Sequence, residues 1–353
     1  MGSFDYSRSI VKHKKVPADF FDRNDWDTFE KGTVTDTETG EQIERVKASK
    51  YGIKYSKMEG RNLQVRGSHH YMMNLYNGEG GHNYNDFTHN NFCECIEWLK
   101  TENKIDPKDY ELKMLEVGTN CVLPINPNDI AENLVSYQNQ PFYYEPKRNG
   151  GIARATLQKI TNKAYGKTAH FEGRAFITQN KTVREFEPPK NLFRWEVKFT
   201  KMSPLHSLGV FTLADLTDKE KAEVLFEKLY DKWNRTILYD PTIDAEAFND
   251  FKGKEKYKWN DPKWWVSLNS QQRRAEKNKM INFVKENSLD MHSLIGRKIK
   301  ENAQSTLNNN RVLRAITDHF DTEELELKAK RKRIIRPVNK PYEKRCKDLS
   351  RAV

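Results

Sequence analysis

The sequence predicts an α+β fold, with an antiparallel sheet in the first two thirds of the chain and an α-helical C-terminal region after it. Apolar and polar residues alternate over several short segments bounded by turn residues, which is typical of strands with one buried face. From about residue 263 the apolar residues recur at helical spacing instead. Hydrophobic residues make up 36% of the 353 residues and aromatic residues 11%, which is enough for a packed core.

The elements follow in order along the chain. Strands are predicted over residues 62–67, 71–76, 110–123, 153–163 and 191–201. Helices are predicted over residues 91–102, 127–137, 213–215 and 219–233, and over most of 263–330. Asn126 is the expected N-cap of the helix at 127–137, because Pro127 suits the first helical position. The patterns divide the chain into a polar segment (1–55), an α+β domain (56–240), a helical domain (241–330) and a basic tail (331–353).

The charge balance favours an anionic partner. Lysine and arginine total 61 against 50 aspartates and glutamates, which gives a net charge of +11. Nucleic acid is the commonest soluble polyanion, although a merely soluble basic protein carries the same charge. Two basic runs, 252–258 and 328–336, are the candidate DNA contacts, and the first contains aromatic residues that can stack on unpaired bases. The candidate residues are Lys252, Lys254, Tyr257, Lys258, Trp259, Arg331 and Lys332. Trp264 and Trp265 suit either base stacking or a helix core.

Several classes of protein are excluded by missing motifs. The four cysteines match neither a disulfide framework nor a zinc ribbon, and a cytoplasmic location is expected. No apolar run is long enough for a signal peptide or a membrane span, so no membrane partner is expected. A phosphate-binding loop is also absent from the sequence, so ATP hydrolysis is not expected.

Two strand acids are the first candidates for chemistry. Glu196 lies on the charged face of its predicted strand, between Arg194 and Lys198. It fits a divalent-cation ligand or one member of a surface charge ladder. Glu116 lies in a predicted strand among apolar residues. If it is buried, its carboxylate needs a metal ion or a basic partner. If it is exposed, it needs neither a metal ion nor a partner.

The sequence around Glu196 resembles that of a known family. Residues 191–215, NLFRWEVKFTKMSPLHSLGVFTLAD, resemble a segment of the replication initiators of filamentous phages. They resemble more closely the related replication proteins of Bacteroidetes phages and plasmids. Residues 65–87, 112–124 and 155–163 are similar to further segments of that family, in the family's order, and the resemblance spans roughly residues 55–300.

The resemblance implies an antiparallel-sheet, nuclease-like domain that starts rolling-circle replication by nicking and rejoining one DNA strand. A tyrosine would form a phosphotyrosine intermediate, and a divalent ion, Mg or Mn, would stabilise the developing charge. Carried over to this chain, Glu116 and Glu196 are the expected metal ligands, and Arg194 would contact a phosphate. The implied partners are single-stranded or duplex origin DNA and, beyond it, a host helicase and polymerase.

The nucleophile is where this chain departs from the family. The family's Tyr-x-Lys corresponds here to Thr161-Asn162-Lys163, and Tyr165 follows two residues after the lysine. If the strand continues, Lys163 and Tyr165 share a face, and the lysine would stabilise phosphate charge or lower the tyrosine pKa. Tyr165 is therefore the predicted nucleophile. The alternative is a non-catalytic protein that keeps the initiator fold and binds an origin or single-stranded DNA.

Overall fold

The structure, a computed structural model, describes residues 2–309 apart from 38, 148–149, 158–159, 167–174, 178–182, 186–189 and 249–253. Its strands are β1 Gly2–Val11, β2 Thr28–Thr35, β3 Gln42–Lys50, β4 Ile53–Met58, β5 Leu63–Ser68, β6 Glu111–Val122, β7 Leu134–Tyr137, β8 Gln140–Pro141, β9 Tyr143–Lys147, β10 Gly150–Thr156, β11 Ile160–Gly166, β12 Ala175–Ile177, β13 Val183–Glu185, β14 Leu192–Phe199 and β15 Thr236–Leu238. Its α-helices are α1 His69–Tyr76, α2 His89–Asn103, α3 Pro127–Glu132, α4 Ser203–His206, α5 Lys219–Asn234, α6 Lys254–Trp259, α7 Pro262–Ser267, α8 Ser270–Asn287 and α9 Met291–Leu307.

Ten of the strands form one sheet, in the order β2-β3-β4-β5-β1-β6-β14-β11-β10-β9. Every pairing described within it is antiparallel. Strands β12 and β13 pair with each other, and β15, β7 and β8 form a small third sheet. The predicted α+β class with an antiparallel sheet is thereby confirmed.

Helices pack on one face of the large sheet, here called the helical face. Alternate residues of β6 and β14, among them Val117 and Trp195, are buried there. The Trp195 indole donates to the carbonyl of Leu229 in α5 at 3.3 Å. Asn302 of α9 donates to the Asn120 carbonyl of β6 at 2.8 Å. These bonds hold α5 and α9 against the two central strands.

The other alternate residues of the same strands form the opposite face, here called the polar face. It contains Tyr6 of β1, Glu116 of β6, Glu196 of β14 and Lys163 of β11. On β14 even this face is buried, because seven of its eight residues are buried and only Lys198 is partly exposed. The charged side of the predicted strand is therefore not a solvated charge ladder.

Some predicted elements differ from the observed ones. Residues 71–76 belong to helix α1 and not to a strand, because the Ser68 hydroxyl caps the helix by accepting from the Tyr71 amide. The predicted strand over 153–163 is two paired strands, β10 and β11. The helix that begins at Pro127, with Asn126 as its predicted N-cap, ends at Glu132, and the residues after it form β7. The first fifty residues, predicted only as polar, contain β1, β2 and β3.

The C-terminal helices contribute to two hydrophobic clusters. Trp259, Trp265 and Phe283 of α6, α7 and α8 pack in a smaller cluster. Met291, Ile295 and other apolar residues of α9 belong instead to the main core beside the sheet. The predicted boundary near residue 240 stays a prediction. Among the described helices, none combines the length and the apolar character needed to cross a membrane.

Candidate active site

Strand register brings the predicted site residues together on the polar face. In the β11–β14 pair, Lys163 is opposite Glu196 and Tyr165 is opposite Arg194. In the β14–β6 pair, Lys198 is opposite Glu116. The predicted placement of Lys163 and Tyr165 on one face is confirmed. The name polar cluster is used below for six residues: Asp5, Glu116, Lys163, Tyr165, Arg194 and Glu196.

Lys163 bridges the two predicted acids. Its Nζ lies 3.1 Å from Glu116 Oε1 and 3.2 Å from Glu196 Oε2. Burial alone would lower the pKa of Lys163, but the two carboxylates raise it overall, so the ammonium stays charged. Lys198 also contacts Glu116 Oε1, at 3.1 Å. The basic partner expected for Glu116 is therefore present, and it consists of two lysines, Lys163 and Lys198.

Arg194 is fully buried and has oxygen acceptors on several sides. Its Nε donates to Glu196 Oε1 at 2.5 Å, and its Nη2 donates to Asp5 Oδ2 at 2.8 Å. Its Nη1 donates to Asn120 Oδ1 at 2.7 Å. Burial would lower the pKa of Arg194, but Asp5 and Glu196 raise it overall. Such a charge is tolerated inside a protein only when it is paired and hydrogen-bonded.

Glu196 is ionised despite its burial. Burial alone would raise its pKa, but the charges of Arg194 and Lys163 lower it overall. The three carboxylates Asp5, Glu116 and Glu196 are matched by the cations Lys163, Arg194 and Lys198. The cluster and its neighbouring lysine are thus close to electrically neutral.

The Tyr165 hydroxyl donates to Glu196 Oε1 at 3.3 Å. Burial, and then the neighbouring Glu196 carboxylate, raise the pKa of Tyr165 well above its usual range. The expectation that Lys163 would lower this pKa is wrong, because the lysine charge is already taken up by Glu116 and Glu196. Tyr165 needs a proton acceptor to become a phenolate, and Glu196 is in contact with it.

Strand β1 adds site residues that the sequence did not suggest. A register irregularity lies between Phe4 and Tyr6, at Asp5, and the Asp5 side chain reaches Arg194. Ser68 and Asn83 hydrogen-bond to the Asp5 carboxylate and hold it in place. In the sequence, β1 could have been recognised only by its alternation of buried and exposed positions. Small polar residues at buried positions conceal that alternation.

Tyr6 is a second tyrosine on the polar face. It is the register partner of Glu116 and is half-buried. Burial raises its pKa, while the charges of Arg66 and Arg8 act to lower it. Unlike Tyr165, its hydroxyl has no hydrogen-bond partner within the described part of the chain.

The acids meet only part of what a Mg or Mn ion requires. Magnesium sites use oxygen ligands in an octahedral shell, often one or two carboxylates completed by water and substrate phosphate. Glu116 and Glu196 converge on a single point, but the Lys163 ammonium occupies it. Among the residues that the structure describes, no three acidic, histidine or cysteine side chains form a metal-binding group. These two acids fit an ion if the lysine withdraws and substrate supplies further oxygens.

The residues predicted for nucleic-acid binding differ in their exposure to solvent. Tyr257 is 77% exposed, and Lys258 is exposed with its Nζ 6.0 Å from the Trp264 ring centroid. Trp259 is fully buried, so its selection as a base-stacking residue is wrong. Trp265 is also buried, which agrees with the helix-core interpretation. Lys254 begins α6, and Lys252, Arg331 and Lys332 lie outside the described residues.

Comparison of the chain with models of known protein families and with curated proteins gives no match. The family resemblance in the sequence therefore stays a prediction. Its strongest structural counterpart is the register that brings Glu116, Lys163, Tyr165, Arg194 and Glu196 to one face of adjacent strands.

Proposed function

We propose that this protein is a rolling-circle replication initiator that nicks one DNA strand and later rejoins it. One observation carries the proposal: two carboxylates, a lysine, an arginine and a tyrosine hydroxyl converge through contacts of 2.5–3.3 Å. They lie on adjacent strands of an antiparallel sheet, on the face away from the helices. Nucleophile, proton acceptor and cations within reach of one another are what phosphodiester transfer requires.

In the proposed reaction the tyrosine oxygen attacks the phosphorus atom and forms a new P–O bond. The bond to the 3′ oxygen breaks, so one product ends in a 3′ hydroxyl and the other is joined to the protein through its 5′ phosphate. Glu196 accepts the Tyr165 proton, and the departing 3′ oxygen takes up a proton from water. Lys163 stabilises the negative charge that develops on the phosphate, and the buried Arg194 acts through Glu196, which it holds in place. A divalent ion held by Glu116 and Glu196 would supply Lewis-acid polarisation of the same phosphate.

The proposed test is a search for the covalent adduct. Both single strands of the replicon that encodes the chain would be 3′-labelled, incubated with protein and Mn, and denatured before electrophoresis. We expect the wild type to retain label and Tyr165→Phe to lose it while still binding DNA. Tyr76→Phe, at an exposed tyrosine on α1 outside the polar cluster, is the matched control. Absence of any wild-type adduct would overturn the proposal.

Peptide mapping of the adduct would identify the attacking tyrosine. Tyr165 contacts Glu196, whereas Tyr6 lies opposite Glu116 with a hydroxyl that has no described partner. If label maps to Tyr6 and survives Tyr165→Phe, the reaction stands and Tyr6 takes the nucleophile's role. Glu116→Gln should remove the adduct in either case. Glu116 lies opposite Tyr6, and it contacts Lys163, which shares a face with Tyr165.

A second function is favoured by the neutrality of the cluster and the raised pKa of Tyr165. In that case the protein binds an origin or single-stranded DNA without cutting it. Thr161 is buried on the same face as Lys163, two positions before it, where the family has its tyrosine. A wild type that binds DNA without an adduct, together with a Thr161→Tyr variant that gains one, would establish this alternative.

A further inference from the structure

The polar face continues past the polar cluster onto β1, β5 and β4, where it carries a row of cations. Arg8 is the register partner of Arg66, and Arg66 is the register partner of Lys54. All three side chains are exposed, and none forms an ion pair with an acid in the described ranges. Like charges directly opposite each other destabilise a sheet. The fold gains nothing from this arrangement, which suggests a ligand that neutralises it.

A pocket lies at the Arg8 end of the row. Its volume is about 480 Å³, and its lining includes Arg8, Gln64, Lys113, Lys201 and His206. The one acid among its lining residues, Glu111, is already paired with Lys113. Arg8 and Lys201 have no acidic partner among the described residues, so the pocket keeps an excess of positive charge.

An exposed aromatic ring stands beside this pocket. Phe211 is 46% exposed, and its ring stacks on His206 with centroids 4.8 Å apart and planes 22° apart. Its carbonyl accepts from the Leu112 amide, which places it next to a residue that lines the pocket. An accessible aromatic ring beside cations is the combination by which proteins hold unpaired bases and their phosphates.

We propose that these features form one binding surface for single-stranded DNA, here called the basic row: Lys54, Arg66 and Arg8, the pocket, and Phe211. Strands lie about 4.8 Å apart, so the three cations span roughly 10 Å, about three steps of a DNA strand. Phe211 can stack only on a base that is not paired, which favours a single strand. The inference rests on the proposed function for its choice of DNA.

The basic row also leads to the polar cluster. Tyr6 lies two residues before Arg8 on the same face, and its pKa responds to the charges of Arg8, Arg66 and Glu116. On β6 the register partner of Arg8 is Met114, two residues before Glu116, so the row ends within two residues of the cluster. DNA bound along the basic row would have a phosphate close to the polar cluster. The residues of the row would bind the DNA without taking part in the proposed nicking reaction.

Fluorescence anisotropy with a labelled single-stranded oligodeoxynucleotide of 20 nucleotides provides the test. We expect Arg66→Glu and Arg8→Glu to raise the Kd at least about tenfold and to reduce the slope of log K against log salt. Arg297→Glu is the matched control, because Arg297 is exposed on α9, which packs on the helical face, and the charge change is identical. Its Kd should stay within about twofold of wild type.

Phe211→Ala tests the stacking part separately. We expect affinity for the normal oligonucleotide to fall about tenfold, and affinity for an abasic oligonucleotide of equal length to stay unchanged. A loss that is equal for both ligands would contradict base stacking. Circular dichroism of each variant should match wild type, because all the altered side chains are exposed.

The outcomes separate this inference from the proposed function. If the wild type forms the covalent adduct but Arg66→Glu binds as well as Arg297→Glu, the basic row is wrong and the function stands. If the wild type binds no DNA, both fail. If single-stranded RNA or duplex DNA binds as tightly as single-stranded DNA, the surface serves another nucleic acid and the assignment is overturned.

Discussion

At the scale of single residues, Glu196 determines how substitutions in the cluster should be interpreted. Its carboxylate accepts from Arg194, Lys163 and Tyr165 at once. Removing one member of a buried ion network leaves the others uncompensated, at a cost of about 3–5 kcal/mol. Loss of activity in Glu196→Gln would therefore combine two effects, the loss of a catalytic carboxylate and the loss of folding stability. Glu116, whose side chain is 12% exposed, gives the cleaner test.

Two histidines, the buried His69 and the partly buried His292, make stability depend on pH. Burial lowers the pKa of His69 and of His292 from 6.5 to about 4. Because the unfolded chain takes up these protons first, the stabilisation is complete above about pH 6.5 and is lost as the pH falls towards 4. Each histidine contributes a slope of at most about 1.4 kcal/mol per pH unit.

We therefore expect urea midpoints to fall between pH 6.5 and 4, and the fall to be shallower in His292→Gln. The exposed His13 is the control: His13→Gln should show the wild-type slope. A pH dependence identical in all three proteins would show that these two histidines do not titrate in this way.

At the scale of elements, Gly118 is the point where β6 leaves room for the cluster. It is the register partner of Glu196, and a Cβ there would meet Arg194 Nη2 at 2.8 Å and Glu196 Cγ at 2.9 Å. Both side chains are held by hydrogen bonds and have little freedom to move. Gly118→Ala should lower the free energy of unfolding by about 1–3 kcal/mol and weaken the proposed activity.

Gly32 on β2 is the matched control, because a Cβ there meets nothing within 4 Å. Gly32→Ala should stay within about 0.5 kcal/mol of wild type in urea unfolding. Equal stability of the two variants would mean that the strands shift to make room, and that the close approach at Gly118 has no energetic weight.

The elements also show where sequence patterns suffice. β6 and β14 lie within a residue or two of their predicted bounds, since alternation is clear in both. β1 was missed because Ser3, Asp5, Ser7 and Ser9 hide its pattern although all four are buried. Lys163 and Tyr165 could be placed together because they share one strand. Asp5 and Asn120 could not, since their contacts with Arg194 depend on the register of distant strands.

At the scale of the whole molecule, the return of α9 to the sheet bears on the predicted boundary near residue 240. Met291, Ile295 and Ile299 are fully buried in the main core. Burial of such side chains is worth about 1.5–3 kcal/mol each, so losing three removes much of a typical domain's stability. A fragment of residues 1–240 should therefore show no cooperative thermal transition by circular dichroism, in contrast to the full chain. A fragment that melts cooperatively near the full chain's Tm would support the boundary instead.

The central position of β1 has a consequence for synthesis of the chain. Asp5 and Arg194 are 189 positions apart, and β1 lies between strands made later. At about 5–20 residues per second, a ribosome needs roughly 10–40 s to bring the second partner out after the first. Until β14 emerges, β6 keeps an unpaired edge on the side away from β1, and such edges invite aggregation. Only chains translated past β14 can assemble the polar cluster, so prematurely released products would lack it entirely.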